Sequence, residues 1–203
     1  MDLISSVAMA AGLAWASGLR LYAVLFIAGL LGRFGYVDLP QDLQVLTHWM
    51  VISASGFMFS VEFFADKIPA FDSVWDALHT FIRVPAGALL AAMALGNHDP
   101  AIMVAGGILG GTLAAGAHLT KAGSRALINT SPEPFTNVTA SLSEDVLALG
   151  GLYAAFHHPL LFLVLLLAFV VFAIWLLPKL WRGIRQILQR VTTGFGGGTE
   201  VRG

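Results

Sequence analysis

Charged and polar residues recur at helical spacing inside stretches of this sequence that are otherwise apolar. Glu62 and Asp66 lie seven and eleven residues after Ser55, so the three side chains share one face of a helix. Three further stripes have similar spacing: Asp72, Asp76, His79 and Arg83; His118, Lys121 and Arg125; and Asn137, Ser141, Glu144 and Asp145. Opposite charges on facing helices can neutralise one another, whereas an unpaired buried charge is costly. The stripes therefore indicate a buried site for transport or ligand binding.

Four more residues complete the predicted site. Arg20 stands in the middle of the first apolar stretch, and Lys67 ends the second. Asn129 and Glu133 lie in the connection between the fourth and fifth stretches. Because ionisable side chains are expensive at membrane depth, we expect the deeper ones to face inward and to have partners.

Simpler explanations remain open for some of these residues. Asp72 followed by Asp76 is typical of the first turn of a helix, and so is Glu133 after Ser131 and a proline. Lys121 and Arg125 have long side chains that can reach a headgroup layer. Neither explanation covers four deeper residues: Arg20, Glu62, Glu144 and Asp145.

The same residues leave metal binding open and argue against familiar catalytic sites. The acids offer oxygen ligands that suit Mg²⁺, Ca²⁺ or Mn²⁺, and Asp76 and His79 have a usable spacing. Zinc-protease, calcium-loop, phosphate-loop and nucleophile-elbow motifs are absent from the sequence, as is cysteine. The sequence assigns no catalytic residue and no cofactor, and an enzyme is the less favoured interpretation.

Composition indicates what must position these side chains. The 203 residues are 57% hydrophobic and only 11% charged, whereas a soluble domain has about 25% charged residues. A chain of this size has too little interior to bury so much apolar surface, so lipid must cover the excess. The net charge of −1 gives no indication of nucleic-acid binding. We therefore expect an all-α, polytopic transmembrane bundle whose partner is the lipid bilayer.

Six apolar segments are predicted as membrane spans of one domain over residues 1–193, with a Gly-rich flexible tail at 194–203. They cover about residues 3–31, 48–64, 84–95 (extended back through 79), 101–117, 136–156 and 159–178. A weak similarity between residues 13–20 and 113–121 suggests two inverted three-helix halves. Glycine pairs at 106–107 and 110–111 predict close packing of helix four, within the chain or in a homo-oligomer.

The basic residues predict an orientation. Lys179, Arg182, Arg185 and Arg190 follow the last segment, which places the C-terminus in the cytoplasm. With six spans the N-terminus is cytoplasmic too.

Several motifs surround the charged residues. They read GLLGR at 29–33, VEFFADKIP at 61–69, DSVWD at 72–76, HTFIR at 79–83, PAGA at 85–88, KAG at 121–123 and SPEP at 131–134. Together with Asn137, Ser141 and Glu144 they resemble the bacterial membrane protein family called domain of unknown function 4126, over about residues 11–151. The resemblance implies several helices in a bacterial inner membrane and no established activity.

Three functions stay open. The first is a small transporter or channel for an ion or an anionic solute, with its site between helices two and five. The second is a membrane-embedded enzyme or lipid-headgroup-binding protein that uses the acidic and basic residues near the cytoplasmic side. The third is a non-catalytic membrane scaffold whose buried charges only specify helix packing.

Overall fold

The computed structural model describes residues 2–130 and 134–196. Those residues form six α-helices and one short 3₁₀ helix, with no strand among them, which confirms the all-α prediction. The helices are α1 (Leu3–Arg33), α2 (Trp49–Ala65), α3 (Pro69–Ala94), α4 (Pro100–Ile128), α5 (Pro134–His157) and α6 (Pro159–Gly196); the 3₁₀ helix is Gln41–Thr47. Each α-helix overlaps one of the six predicted segments.

Proline and aspartate set the helix starts. The Asp2 carboxylate accepts a hydrogen bond from the Ser5 amide at the start of α1, and Asp99 caps α4 in the same way, just before Pro100. Pro69 begins α3 well before the predicted start, so Asp72 and its neighbours belong to the helix itself. α6 runs on through a proline to Gly196, beyond the predicted end at 178.

The outer surface of the bundle is apolar. In the part of the chain that the structure describes, four helices are long and apolar enough to cross a membrane: Leu3–Arg33, Phe71–Ala94, Pro100–Ile128 and Pro159–Ile187. Large hydrophobic side chains such as Phe57, Phe81, Leu160 and Trp181 are exposed on the surface. A chain whose exposed helix faces are this apolar fits a hydrocarbon solvent, which indicates a membrane location.

The helix α1 changes direction at Arg20, whose backbone is not helical (φ −145°, ψ 73°). The residues before the break, 3–19, and those after it, 21–33, form two separate helical halves. Near the start of the first half, Val7 lines a groove together with Leu95, the residue after α3. A straight helix of this length would carry its other end roughly 46 Å away.

The end of the second half instead returns to the same end of the bundle. A side chain at Gly96, the second residue after α3, would clash with the Asp42 carboxylate of the 3₁₀ helix. In the same 3₁₀ helix the Leu46 carbonyl lies against Gly29, near the end of α1. The sequence predicted one continuous helix here, whereas the structure folds α1 into a hairpin with Arg20 at its tip.

Small residues let the helices approach closely around this hairpin. The predicted glycine stripe of α4 packs on α3, where side chains at Gly106 and Gly110 would clash with Leu95 and Ala91. Gly18 of α1 lies directly against the Ala114 carbonyl of α4. The stripe thus serves packing within the chain, and a homo-oligomer through α4 stays a prediction.

Candidate functional site

The charged stripes of five helices meet beside the tip of the α1 hairpin. Ten residues form what we call the ionic cluster: Arg20, Glu62, Asp66, Asp72, Asp76, Arg83, Lys121, Arg125, Glu144 and Asp145. The first eight are at most 3% exposed, and the side chains of the last two are 13% exposed. The expectation that these charges face one another is thereby met.

Asp66, the residue that ends α2, is shared by three cations. Arg20 donates a hydrogen bond to its Oδ2 atom, and Lys121 Nζ lies 3.0 Å from the same oxygen. Arg125 Nη2 is 3.9 Å from this Oδ2 and donates to the Asp66 carbonyl at 3.1 Å. Three helices, α1, α2 and α4, are therefore joined at one carboxylate.

Helix α5 supplies the second set of partners for the two arginines. Arg20 Nε lies 2.7 Å from Asp145 Oδ1, and Arg20 Nη2 donates to the Ser141 hydroxyl at 2.9 Å. Arg125 Nε lies 3.0 Å from Glu144 Oε1, and its Nη1 donates to the Asn137 side chain. Arginine's planar array of donors suits such multiple contacts.

Arg83 of α3 is the centre of a neighbouring group. Its Nη2 donates to Glu62 Oε1 at 2.6 Å and its Nη1 to Asp76 Oδ1 at 2.8 Å. The same Nη1 is 3.1 Å from His118 Nδ1, and His118 Nε2 is 2.7 Å from the Thr80 hydroxyl. Because an arginine can only donate, His118 accepts at Nδ1 and donates from Nε2 to Thr80.

Lys121 joins the two groups. Besides Asp66, its ammonium lies 3.4 Å from Asp76 Oδ1 and 3.7 Å from Glu144 Oε2. It is also 3.4 Å from the carbonyl oxygen of Leu19, next to the break in α1. Lys121 is 3% exposed and Arg125 1%, so neither reaches a headgroup layer. The simpler explanation of these two residues is therefore wrong.

Other predicted site residues lie at the edge of the cluster or apart from it. Asn129 donates to Asp72 Oδ2 at 3.1 Å, so Asp72 faces inward and does more than begin a helix. His79 contacts the Trp75 carbonyl and the hydroxyl of Tyr22. Lys67 donates to the Phe63 carbonyl, and burial lowers the pKa of its ammonium. Glu133, with 131 and 132, lies outside the described residues.

The cluster has more carboxylates than cations. It contains six carboxylates against four cations, an excess of two negative charges when all are ionised. Lys67, which interacts electrostatically with Asp145, reduces this excess to one. Asp66 Oδ1, Asp72 Oδ1 and Asp76 Oδ2 accept no hydrogen bond from any described residue. One oxygen from each of these three residues lies within 4.8 Å of the others, a spacing at which a cation could be held.

A small cavity reaches the cluster between α3 and α4. Its volume is about 150 Å³, and Asp76, His118 and Arg125 form part of its wall. This is room for a few water molecules. The ionic cluster therefore borders a space that water or a small ion can occupy.

Sequence reasoning missed three contributors: Tyr22, Thr80 and the Leu19 carbonyl. Thr80 lies four residues after Asp76 and three before Arg83, so helical spacing could have identified it. Tyr22 and Leu19 are brought in by the break in α1. The Ser17–Gly18 pair just before the break is of a kind found at helix kinks, a signal that the sequence prediction did not use.

Comparison with known proteins gives a family and nothing further. A family model described as "Domain of unknown function (DUF4126)" matches residues 7–179, which include all ten residues of the ionic cluster. No curated protein and no solved structure matches the chain.

Proposed function

The chain belongs to the DUF4126 family, and we propose that it is a small multi-pass membrane transporter or channel whose site is the ionic cluster. The observation that carries the proposal is the position of this cluster at the tip of a broken helix. Ordinary membrane helices satisfy their backbone internally, and irregular backbone at membrane depth occurs where protein or a cavity surrounds it. In transporters such interrupted helices bring backbone groups to the bound ion or solute.

The charge balance supports the same proposal. A bundle that used ion pairs only for packing would be expected to match carboxylates and cations, because unmatched buried charge is costly. Here the cluster has two more carboxylates than cations, or one more when Lys67 beside it is counted, and three buried oxygens accept no hydrogen bond from described residues. Protons or a cation would supply the missing positive charge, so we propose cations or protons as the transported class.

We also propose a topology in a bacterial inner membrane that differs from six crossings. Because both ends of α1 lie at the same end of the bundle, α1 acts as a re-entrant hairpin although its full length could cross, and α2 to α6 make five crossings. Two of these, α2 and α5, are not among the four long apolar helices: α2 is a shorter apolar helix, and α5 carries Glu144 and Asp145. The exposed cations Lys179, Arg182 and Arg185 at the end of α6 favour a cytoplasmic C-terminus. The start of α1 is then on the outer side, together with the 3₁₀ helix.

Flux measurements test the proposed function. The purified chain is reconstituted in proteoliposomes, and uptake is followed with radiolabelled sodium, rubidium and chloride and with a pH-sensitive dye for protons. We expect cation or proton flux that is lost in Glu62→Gln/Asp145→Asn. The matched control is Asp38→Asn, which neutralises an exposed carboxylate outside the cluster.

Equal flux in the folded double variant and in the control would contradict the proposal. So would the absence of sodium, rubidium and proton flux from proteoliposomes that contain the intact bundle.

The scaffold hypothesis has one observation in its favour. All four cations of the cluster lie within 4 Å of a carboxylate, as in a network that specifies helix packing. Under this hypothesis Glu62→Met/Arg83→Met, which removes both partners, retains stability and cellular function while each single variant loses stability. Retained stability with lost flux selects the transporter instead.

The same direct pairing weighs against an enzyme or a phosphate-headgroup site. Arg83 and Arg125 already contact several protein oxygens, so few of their donors remain for a phosphate.

A further inference from the structure

The Lys121 ammonium lies inside a cage of oxygens contributed by four different segments. Asp66 Oδ2 is 3.0 Å away, Asp76 Oδ1 3.4 Å and Glu144 Oε2 3.7 Å. The fourth oxygen is the Leu19 carbonyl at 3.4 Å. Three carboxylates and a carbonyl around one positive charge are the ligands that hard metal cations prefer.

Two observations separate this cage from an ordinary ion pair. The first is that Asp66 and Asp76, both at most 3% exposed, each have a second carboxylate oxygen, Asp66 Oδ1 and Asp76 Oδ2, that does not face Lys121 and accepts no hydrogen bond from a described residue. The second is that the Leu19 carbonyl is next to the break in α1. A carbonyl at an interrupted membrane helix is a recurrent ligand of transported cations. Two carboxylates of the cage thus have unused acceptor capacity on their second oxygens, and the cage also has an unusual backbone ligand.

We propose that this cage is the binding site of a monovalent metal cation, and that Lys121 fills it in the closed state described here. Lys121 is a tethered cation, because its charge is carried on a flexible four-carbon stem from α4. Withdrawal of its side chain toward the cavity between α3 and α4 empties the cage for the mobile ion. The inference rests on the proposed transport function, since it names the class of substrate.

Charge and geometry favour a monovalent ion. Exchange of one ammonium for one monovalent ion leaves the charge between Arg20 and Arg125 unchanged, whereas a divalent ion adds positive charge beside both guanidinium groups. The oxygens lie at unequal distances of 3.0 to 3.7 Å from Nζ. Such a loose cage does not resemble the compact octahedron that Mg²⁺ requires.

Thermal unfolding of the purified chain in detergent tests the proposal. Lys121→Met keeps the length of the stem and removes the charge, and Lys179→Met makes the same change at an exposed lysine on α6. Each protein is heated in choline, sodium, potassium or magnesium chloride at equal ionic strength. We expect Lys121→Met to gain a saturable rise of several degrees in sodium or potassium over choline. Wild type and Lys179→Met should show none.

Two further measurements test whether the cage itself binds the cation and cover the case in which Lys121→Met does not fold. Adding Asp66→Asn to Lys121→Met should abolish the gain, because it removes the nearest ligand of the cage. If Lys121→Met aggregates in choline, recovery of a monodisperse protein in sodium or potassium supports the proposal, and recovery in neither contradicts it. Equal unfolding temperatures of folded Lys121→Met in choline, sodium and potassium, or a response to magnesium alone, would overturn it.

The unfolding and flux measurements test the cation site and the transport function independently. Cation-dependent stabilisation without flux in proteoliposomes would retain the cation site and reject transport. Flux without such stabilisation would retain transport and reject the cage as the cation site.

Discussion

At the scale of single residues, the ionic cluster depends on charged side chains that each contact several partners of opposite charge. Asp66 is within 4 Å of three cations, and each of those cations contacts at least one other carboxylate. In a low-dielectric interior the loss of one partner leaves the others incompletely compensated, which is more costly than the loss of an exposed pair.

Asp66→Asn tests this sharing, because it keeps the shape of the side chain and removes its charge. We expect the free energy of unfolding to fall by about 3 kcal/mol or more, the range for breaking a buried ion pair. Asp38→Asn changes an exposed carboxylate and should alter it by less than about 0.5 kcal/mol. Reversible denaturation in mixed micelles measures both, and equal losses would show that Asp66 is not a centre of the network.

At the scale of helices, glycine and alanine decide how closely α1, α3 and α4 approach. A side chain at Gly18 would meet the Ala114 carbonyl and the Ala117 methyl group. By contrast, Gly116 on α4 faces open space, and a Cβ atom added there would have no neighbouring atom within 4 Å. The tip of the hairpin reaches Lys121 only because the contact between α1 and α4 at Gly18 is so close.

Two matched alanine substitutions test this contact. Gly18→Ala should lower the free energy of unfolding by about 1–3 kcal/mol, because the new methyl group pushes α1 and α4 apart. Gly116→Ala should leave it unchanged or raise it by about 0.5–1 kcal/mol, since alanine favours the helix and nothing obstructs its side chain. If Gly18→Ala is as stable as Gly116→Ala in the same denaturation assay, the close contact does not hold the hairpin.

At the scale of the whole molecule, the hairpin changes the topology. A first helix that crosses the membrane puts the start of α1 on the same side as the end of α6, whereas a re-entrant hairpin puts them on opposite sides. The connections after α1 and after α3 lie together in both cases, because the 3₁₀ helix contacts Gly96.

Cysteine labelling distinguishes the two topologies, and the chain contains no cysteine of its own. We expect a membrane-impermeant maleimide to label Asp2→Cys and Asp38→Cys in intact cells. Arg185→Cys should react only after the membrane is permeabilised. Protection of Asp2→Cys together with labelling of Asp38→Cys would mean that α1 crosses the membrane and that the hairpin is not re-entrant.

Local sequence patterns were enough to predict the apolar outer surface, the helical segments and the residues of the ionic cluster. Apolar segments of membrane length, with proline and glycine at their boundaries, predicted the six helical segments, and helical spacing grouped Glu62 with Asp66 and Lys121 with Arg125. These are local properties, since spacing along one helix fixes which side chains share a face. They also explain why nine residues of the ionic cluster were predicted from helical stripes, whereas the tenth, Arg20, was predicted from its charge within an apolar stretch.

The pairing of the charges and the point at which the chain turns back became known from the folded structure alone. The break at Arg20 follows the Ser17–Gly18 pair, which is compatible with a kink but does not fix how sharply or in which direction the chain turns. Arg20 reaches Asp66, Ser141 and Asp145 there, and all three come from distant parts of the chain. Contacts of this kind depend on how helices pack against one another, which the periodicity of a single helix does not encode.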